Sequence, residues 1–273
     1  MKKVTLRSLI GAFALVTAVT IGTATTPAIA TTAEAASAAA GSSGWLRIAH
    51  LSPDTKSVDV RVTALSGGAS VYELDGVKYG AVSSYKSMPN GVYTIAMVPA
   101  GSNPNTNPML SASVSVVDGK ASTVAAYGAN KNLKLKVFTD DLSTPAAGMA
   151  RIRLIQASTK VPTIDVMSAT GISIAQNAQA GTATGYAEVA SGPWNLIVTG
   201  KNIKTTDPVS LADGSVTTLL VLDTVGGGLS VKSILDSAAV GAMPVGGVQT
   251  GGGFLATANH SIAQLPTIGA KNR

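Results

Sequence analysis

The most informative segment of the sequence is Arg47-Ile48-Ala49-His50-Leu51-Ser52, because it recurs 106 residues later as Arg153-Leu154-Ile155-Gln156-Ala157-Ser158. At the same offset, Val58-Asp59-Val60 matches Ile164-Asp165-Val166. Later segments match at shorter offsets, the last being Leu133 to Asp140 opposite Leu229 to Asp236. The offset changes only in stretches rich in turn-forming residues, as expected when two copies share one fold and differ in their loops. The sequence therefore predicts an internal repeat.

Each copy is predicted to be built of short strands. Val58, Val60 and Val62 alternate with polar residues, which is the period-two pattern of a half-buried strand. Similar runs follow, separated by turn signals such as Pro89-Asn90-Gly91 and Asp118-Gly119. Six or seven strands in about 95 residues are typical of a β-sandwich. We therefore predict an all-β protein with two tandem immunoglobulin-like antiparallel β-sandwiches.

The N-terminus has the pattern of a secretory signal. Lys2, Lys3 and Arg7 precede an uncharged apolar stretch of about 14 residues, and Ala28 and Ala30 place small residues at both positions that a signal peptidase requires. The apolar stretch is shorter than the 18–20 residues or so that span a bilayer, which disfavours a membrane anchor. Cleavage after Ala30 is favoured, and cleavage after Ala35 or Ala36 is left open.

Composition marks the remaining boundaries. Segments rich in Ala, Ser, Thr and Gly precede and follow the repeats, and a short Pro-containing segment separates them. The expected organisation is a signal peptide over 1–30, a flexible leader over 31–44, a first sandwich over 45–141, a linker over 142–148, a second sandwich over 149–237 and a flexible Gly-rich tail over 238–273.

Composition also excludes several classes of chemistry. The chain has no Cys and only two His, so disulfides, thiol catalysis and Cys-ligated metal centres are ruled out. Removal of the signal peptide lowers Lys+Arg from 20 to 17 against 14 Asp+Glu, so the net charge falls from +6 to +3. That balance gives no reason to expect nucleic acid binding. Lys134 and Lys136 alternate with apolar residues, which predicts the solvent-exposed face of a strand.

His50 is the first candidate for a chemical role, with Ser52, Asp54 and Asp59 close to it in sequence. On a strand, His50 and Ser52 point to the same side but lie about 6–7 Å apart, too far for a Ser–His pair. The repeat places Gln156 at the equivalent position, and glutamine forms hydrogen bonds but does not titrate near neutrality. We therefore predict that His50 is a structural hydrogen-bonding residue, with ligand binding and catalysis as less favoured alternatives.

Asp59 and Asp165 recur in both copies among apolar residues. Each could accept hydrogen bonds from the N–H groups of a neighbouring loop or pair with Arg47 or Arg153. A calcium site is the functional alternative, but the sequence lacks a loop with closely spaced acidic ligands. We predict no catalytic residue, no cofactor-binding residue, no metal site and no cofactor.

The motifs Arg47-x-x-His50-x-Ser52-Pro53, Tyr79-Gly80-x-x-Ser83-x-Tyr85 and Pro89-x-Gly91-x-Tyr93 resemble those of DUF4397, a family of exported bacterial proteins. The segment from Asp140-Asp141 to Arg151-x-Arg153 is similar to the junction between two copies in that family, and the Gly-rich tail is similar to those of actinobacterial members. The second copy departs from the pattern at Gln156 and Ala180. The resemblance implies an exported β-sandwich protein and assigns no chemistry.

These patterns favour a secreted, non-enzymatic interaction or structural module. We expect a monomer outside the cell, with wall association left open, that has no membrane span after processing and meets a protein or glycan of the cell envelope. The alternatives are a carbohydrate- or peptide-binding module with its ligand on loops 65–78 and 101–109, and, less favoured, a cell-wall hydrolase.

Overall fold

The period-two segments of the sequence form strands in the computed structural model, which describes residues 42–103 and 105–238. The predicted signal peptide and nearly all of the predicted leader and tail lie outside these ranges. The first half contains nine strands: β1 (Ser43–Leu51), β2 (Val58–Ala64), β3 (Ser70–Val77), β4 (Ala81–Val82), β5 (Lys86–Pro89), β6 (Gly91–Pro99), β7 (Leu110–Val116), β8 (Ala121–Tyr127) and β9 (Lys134–Asp140). A single 3-10 turn, Asn130–Asn132, precedes β9.

The second half repeats this order without the 3-10 turn. Its nine strands are β10 (Met149–Gln156), β11 (Thr163–Ser168), β12 (Ser173–Gln179), β13 (Thr182–Ala183), β14 (Ala187–Ala190), β15 (Gly192–Gly200), β16 (Ile203–Leu211), β17 (Val216–Asp223) and β18 (Leu229–Ser237). No helical segment of the described ranges has the length and apolar character needed to cross a membrane.

Each half forms two sheets with matching strand orders. In the first half the orders are β4-β1-β8-β9, with β5 also on β1, and β3-β2-β6-β7. In the second half they are β13-β10-β17-β18, with β14 also on β10, and β12-β11-β15-β16. The predicted all-β class and double sandwich are therefore confirmed. The strand count exceeds the expected six or seven because short strands, β4 and β5 or β13 and β14, flank one edge of a longer strand.

One strand pair in each half is parallel, which refines the predicted antiparallel architecture. β1 pairs with β8 in parallel, with Arg47 opposite Thr123, and β10 pairs with β17 in the same way, with Arg153 opposite Thr218. Parallel strands need a long crossover connection. The chain supplies it by passing through the opposite sheet between β1 and β8. Alternation of apolar residues gives the face of a strand but not its direction.

The inner faces of the two sheets of each half enclose its core. Val58, Val60 and Val62 of β2 are buried against Ile95 and Met97 of β6 in the first half. The second half encloses an equivalent cluster in which Ile164, Val166, Leu196 and Val198 are buried. We call the halves the first sandwich, β1–β9, and the second sandwich, β10–β18.

Candidate functional site

The two sandwiches meet through one sheet of each, and we call this contact the seam. Its strands are β1, β8 and β9 on one side and β10, β17 and β18 on the other. Both sandwiches lie in one compact unit. The centre of the seam is a single apolar cluster with members from both halves, whose buried residues are Ala49, Leu51, Ala125, Phe138, Ile155, Ala157, Leu220 and Leu222.

Arg47 of the first sandwich is buried in the seam and pairs with the second sandwich. Its Nη2 donates to Asp236 Oδ1 at 2.6 Å, and its Nε donates to Thr123 Oγ1 at 2.8 Å. The Asp236 carboxylate also accepts hydrogen bonds at Oδ2 from the hydroxyls of Thr218, at 2.6 Å, and Tyr186, at 3.0 Å. Arg47 is therefore held by Thr123 of its own sandwich, Asp236 is held by Thr218 and Tyr186 of the second sandwich, and the two charged groups also hold each other.

Arg153 of the second sandwich makes the equivalent set of contacts with the first sandwich. It donates to Asp140 of the first sandwich, and its Nε donates to Thr218 Oγ1 at 2.9 Å. Asp140 in turn accepts from the Thr123 hydroxyl at 2.6 Å and from the Tyr85 hydroxyl. The two ion pairs thus cross the seam reciprocally, as at an interface related by a two-fold axis.

The seam balances its buried charge internally. Burial lowers the pKa of Arg47, but the carboxylates of Asp236 and Asp140 more than offset it, so the pKa is raised and the guanidinium stays charged. Burial raises the pKa of Tyr85 and Tyr186, which keeps both hydroxyls protonated as donors. No buried side-chain nitrogen or oxygen in the described ranges lacks a hydrogen-bond partner. A network satisfied in this way favours one fixed arrangement of the two sandwiches.

Two glycines allow the sandwiches to approach closely. Gly181 has φ +77°, and a Cβ added to it would lie 2.1 Å from the ring of Tyr127 in the first sandwich. Gly80, at the equivalent position of the first sandwich, has φ +73° and lies against Leu222 of the second. Two requirements therefore favour glycine at each position: the positive φ of the backbone and the close contact across the seam.

The strand face of β9 that was predicted to be exposed is part of the seam at Lys136. Lys136 Nζ donates to the Gly181 carbonyl at 2.9 Å and lies 5.4 Å from the centre of the Phe138 ring. Lys232 makes the reciprocal bond to the Gly80 carbonyl at 2.9 Å. The prediction for Lys136 was wrong. A strand face that carries lysines is usually exposed to solvent, whereas here the second sandwich supplies an acceptor for the ammonium group. Lys134 is exposed, as predicted.

His50 forms backbone hydrogen bonds that Gln156 reproduces. The buried His50 ring bonds through Nε2 to the Lys56 carbonyl at 3.2 Å, and the Ser52 N–H points to Nδ1 at 3.5 Å. Gln156 donates to the Val161 carbonyl at 3.0 Å and accepts from the Ser158 N–H at 2.6 Å. Burial lowers the pKa of His50, which favours the neutral ring. This geometry is that of the structural role predicted from the repeat.

Asp59 and Asp165 bind loop N–H groups rather than the two arginines. Asp59 accepts from the Gly76 N–H at 2.7 Å and the Gly101 N–H at 2.8 Å. Asp165 accepts from the Asn177 N–H at 2.7 Å. Of the two interactions that the sequence allowed, the first is the one that the structure contains.

The residues near His50 do not assemble a catalytic triad. The Ser52 hydroxyl bonds to Thr55 Oγ1 at 2.7 Å and to Asp54 at 3.3 Å, and the His50 ring bonds to main-chain groups instead. Across residues 42–103 and 105–238, no group of three or more His, Cys, Asp or Glu side chains is arranged to hold a metal ion.

Sequence reasoning did not assign the carboxylates that pair across the seam. Asp140 and Asp236 end the last matched segment, and Arg47 and Arg153 begin the first. The recurrence of both acids and both arginines was a usable signal for buried ion pairs. It did not show that each arginine pairs with the acid of the other copy.

Comparison with known proteins gives one family match, which covers part of the chain. The model of DUF4397, a domain of unknown function, matches residues 44–167. The match covers the first sandwich and continues through β10 into β11. No curated protein matches the chain.

Several solved structures resemble the chain at low sequence identity. The C-terminal domain of AlgF from P. aeruginosa is 23% identical over 33% of this chain and 97% of its own, with a TM-score of 0.24. A family CBM26 module of Eubacterium rectale Amy13K, solved with maltoheptaose, is 16% identical over 69% and 96%, with a TM-score of 0.22. A candidate cell adhesion protein of Bacteroides uniformis is 9% identical over 71% and 98%, with a TM-score of 0.22. TM-scores this low give no basis for transferring a function.

Proposed function

We propose that the chain is an exported, non-enzymatic interaction or structural module whose two sandwiches act as one rigid body at or near the cell surface. The observation that supports this function most directly is the reciprocal pairing of Arg47 with Asp236 and of Arg153 with Asp140. Both arginines are only 2% exposed, and so neither is available to a substrate.

The distribution of polar groups also favours a structural role over catalysis. A hydrolase needs at least two titratable groups that converge in an accessible cleft. In this chain the recurring Arg, Asp and Tyr side chains are engaged in holding two sheets together, and His50 is engaged with its own loop. The network therefore supports an assembly that presents outer surfaces, with a protein or glycan of the cell envelope as the partner.

Export is supported by the sequence of the first 30 residues. A fold without Cys is compatible with this location, because it does not depend on redox conditions. The test is fractionation of the source organism with an antibody against the sandwiches, followed by N-terminal sequencing. We expect a processed chain in the medium or the wall fraction, beginning after Ala30, Ala35 or Ala36. An unprocessed chain confined to the cytoplasm would contradict the proposed location.

Rigidity is tested by residual dipolar couplings of the backbone amides. If the seam fixes the sandwiches, couplings from both halves fit a single alignment tensor with the orientation of the structure. Separate tensors of different magnitude for the two halves would show that the sandwiches move independently, and the proposed rigid module would be wrong.

A further inference from the structure

Asp59 and Asp165 stand at equivalent positions but differ in the hydrogen bonds they accept. Asp59 is 8% exposed, and both of its carboxylate oxygens accept main-chain N–H groups. Asp165 is exposed and uses Oδ1 for the Asn177 N–H. Within the described ranges, no donor is bound at Asp165 Oδ2. The second sandwich therefore offers an acceptor where the first has already bound a peptide N–H.

The difference arises from the length of one hairpin. Twelve residues separate Met97 from its paired residue Leu110 in the first sandwich, and the Gly101 N–H of this loop reaches Asp59. Only six residues separate Val198 from its paired residue Thr205, and no N–H group of this shorter hairpin donates to Asp165 within the described ranges.

In the second sandwich, β11 and β15 also separate one residue earlier at this end than the equivalent strands of the first, and we call the gap between them the fork. In the first sandwich, the β2–β6 ladder extends to a Val58–Pro99 pair. In the second sandwich, the β11–β15 ladder begins one step later, at Asp165–Thr199. A pocket of about 270 Å³ lies at this position, lined by Thr163, Ile164, Asp165, Asn177, Thr199, Gly200 and Lys201.

The fork presents both kinds of group that a peptide main chain needs. Asp165 offers an acceptor, and the exposed Lys201 offers a donor; in the described part of the chain the two form no ion pair. Asn177, which has a φ of +49°, donates its main-chain N–H to Asp165 Oδ1 and so helps to fix the position of the carboxylate. Charge-assisted hydrogen bonds of this kind are stronger than neutral ones.

We infer that the fork between β11 and β15 binds a glycine-containing turn of a partner polypeptide. The partner donates a main-chain N–H to Asp165 Oδ2 and places a carbonyl near Lys201. This inference rests on the proposed function as an interaction module and names the chemistry of its partner.

The chain itself provides the template for this ligand. In the first sandwich, the donor to the equivalent oxygen is Gly101, at φ +73° in a turn closed by a bond from the Ser102 N–H to the Pro99 carbonyl. A sugar hydroxyl could also donate to a carboxylate. However, none of the residues lining the pocket is aromatic, so the flat apolar surface on which a sugar ring stacks is missing. The geometry therefore favours a peptide turn.

The probe is a cyclic peptide that contains the turn Pro99-Ala100-Gly101-Ser102. It is titrated into the ¹⁵N-labelled processed chain. We expect saturable shifts of the amide signals of Asn177, Thr199 and Lys201, with a Kd of about 1 mM, as suits a few hydrogen bonds on a small contact. Absence of saturable shifts at these amides would overturn the inference. So would binding of N-acetylglucosamine oligomers at the same amides without binding of the peptide.

Two variants make the test specific. Asp165→Asn retains an oxygen for the Asn177 N–H and turns the other acceptor into a donor, so we expect at least tenfold weaker binding. Asp59→Asn is the matched control in the first sandwich and is expected to leave the Kd unchanged. Equal weakening by both variants, each shown to be folded by its amide spectrum, would overturn the assignment.

A hairpin graft tests the template directly. Replacement of residues 199–204 by residues 98–109 is expected to fill Asp165 Oδ2 from within, raise the melting temperature and abolish peptide binding. A folded graft that still binds the peptide would contradict the site. The dipolar couplings across the seam do not depend on this site, so failure here and failure of the rigid module are distinguishable.

Discussion

At the scale of single residues, His50 and Gln156 show that one structural role accepts two side chains. Both are buried beside the end of a central strand, and both connect to a carbonyl and an N–H of the loop that follows. The loop geometry therefore depends on a hydrogen-bonding side chain of suitable length rather than on an imidazole.

We expect His50→Gln to be nearly neutral and His50→Ala to lower the free energy of unfolding by about 1–3 kcal/mol. The alanine variant leaves the Lys56 carbonyl without its bond, and a buried unsatisfied group is destabilising. Urea unfolding of both variants measures the difference. If glutamine proves as damaging as alanine, the structural role of His50 is wrong.

His50 also predicts a dependence of stability on pH. Burial lowers its pKa from 6.5 in the folded chain. Below pH 6.5 the unfolded chain therefore binds more protons, so the free energy of unfolding falls as the pH is lowered through and below this value. His50→Gln removes this contribution. We expect the wild type to lose more stability than the variant between pH 8 and pH 5.5, measured by urea unfolding; equal losses would contradict the lowered pKa.

The buried and exposed ion pairs should differ in their contributions to stability. Asp236→Ala leaves the Arg47 guanidinium buried without its nearest carboxylate, which costs about 3–5 kcal/mol. Asp141→Ala is the control, because Asp141 pairs with Arg151 on the surface, where its side chain is 52% exposed. An exposed pair contributes about 0–1 kcal/mol. Similar losses for both variants in thermal unfolding would show that the seam pairs are not special.

At the scale of strands and turns, Gly80 and Gly181 directly precede β4 and β13, and the structure explains why both positions are glycine. Each glycine turns the chain at positive φ and lies under a side chain at the end of the opposing strand, Leu222 of β17 or Tyr127 of β8. The turns at Gly80 and Gly181 therefore also form part of the contact between the two sandwiches.

We expect Gly181→Ala to destabilise the chain by more than Gly171→Ala. Both glycines have positive φ, so an alanine costs about 1–2 kcal/mol at either position. Only at Gly181 would the new methyl group also meet the Tyr127 ring, which adds about 1–3 kcal/mol for overpacking. Calorimetric melting of the two variants measures this difference. An equal effect would mean that the ring moves aside without loss.

At the scale of the whole molecule, the seam makes the two sandwiches one cooperative structure. Its apolar cluster and its reciprocal ion pairs are buried between the halves, so unfolding one sandwich exposes both charges and apolar surface of the other. Such coupling disfavours a state with one sandwich folded and one unfolded.

We expect a single calorimetric transition whose van't Hoff and calorimetric enthalpies agree. Asp236→Ala is expected to weaken the coupling and to separate the melting of the two halves into two transitions. Two transitions in the wild type would contradict the cooperative seam, and a single unshifted transition in the variant would show that the ion pairs do not provide the coupling.

The β-class, the repeat and the turn positions could all be predicted from the sequence. These depend on local information: alternation of apolar residues predicts strands, and matching of two segments predicts matching folds. The sequence also predicted the hydrogen-bonding role of His50, because the second copy contains a residue that cannot titrate.

What covers each polar face of a strand depends on how the two sandwiches are arranged in the folded chain. Alternation shows that Lys136 and Asp140 share one face of β9, but not whether water or a second sheet lies against it. The pairing of Arg47 with Asp236, 189 residues away, required both sandwiches to be in place. For the same reason the free oxygen of Asp165 was not predictable, since it depends on how far a hairpin extends in space. Local patterns fix which way a side chain points, whereas the partner that it meets depends on how the folded surfaces dock.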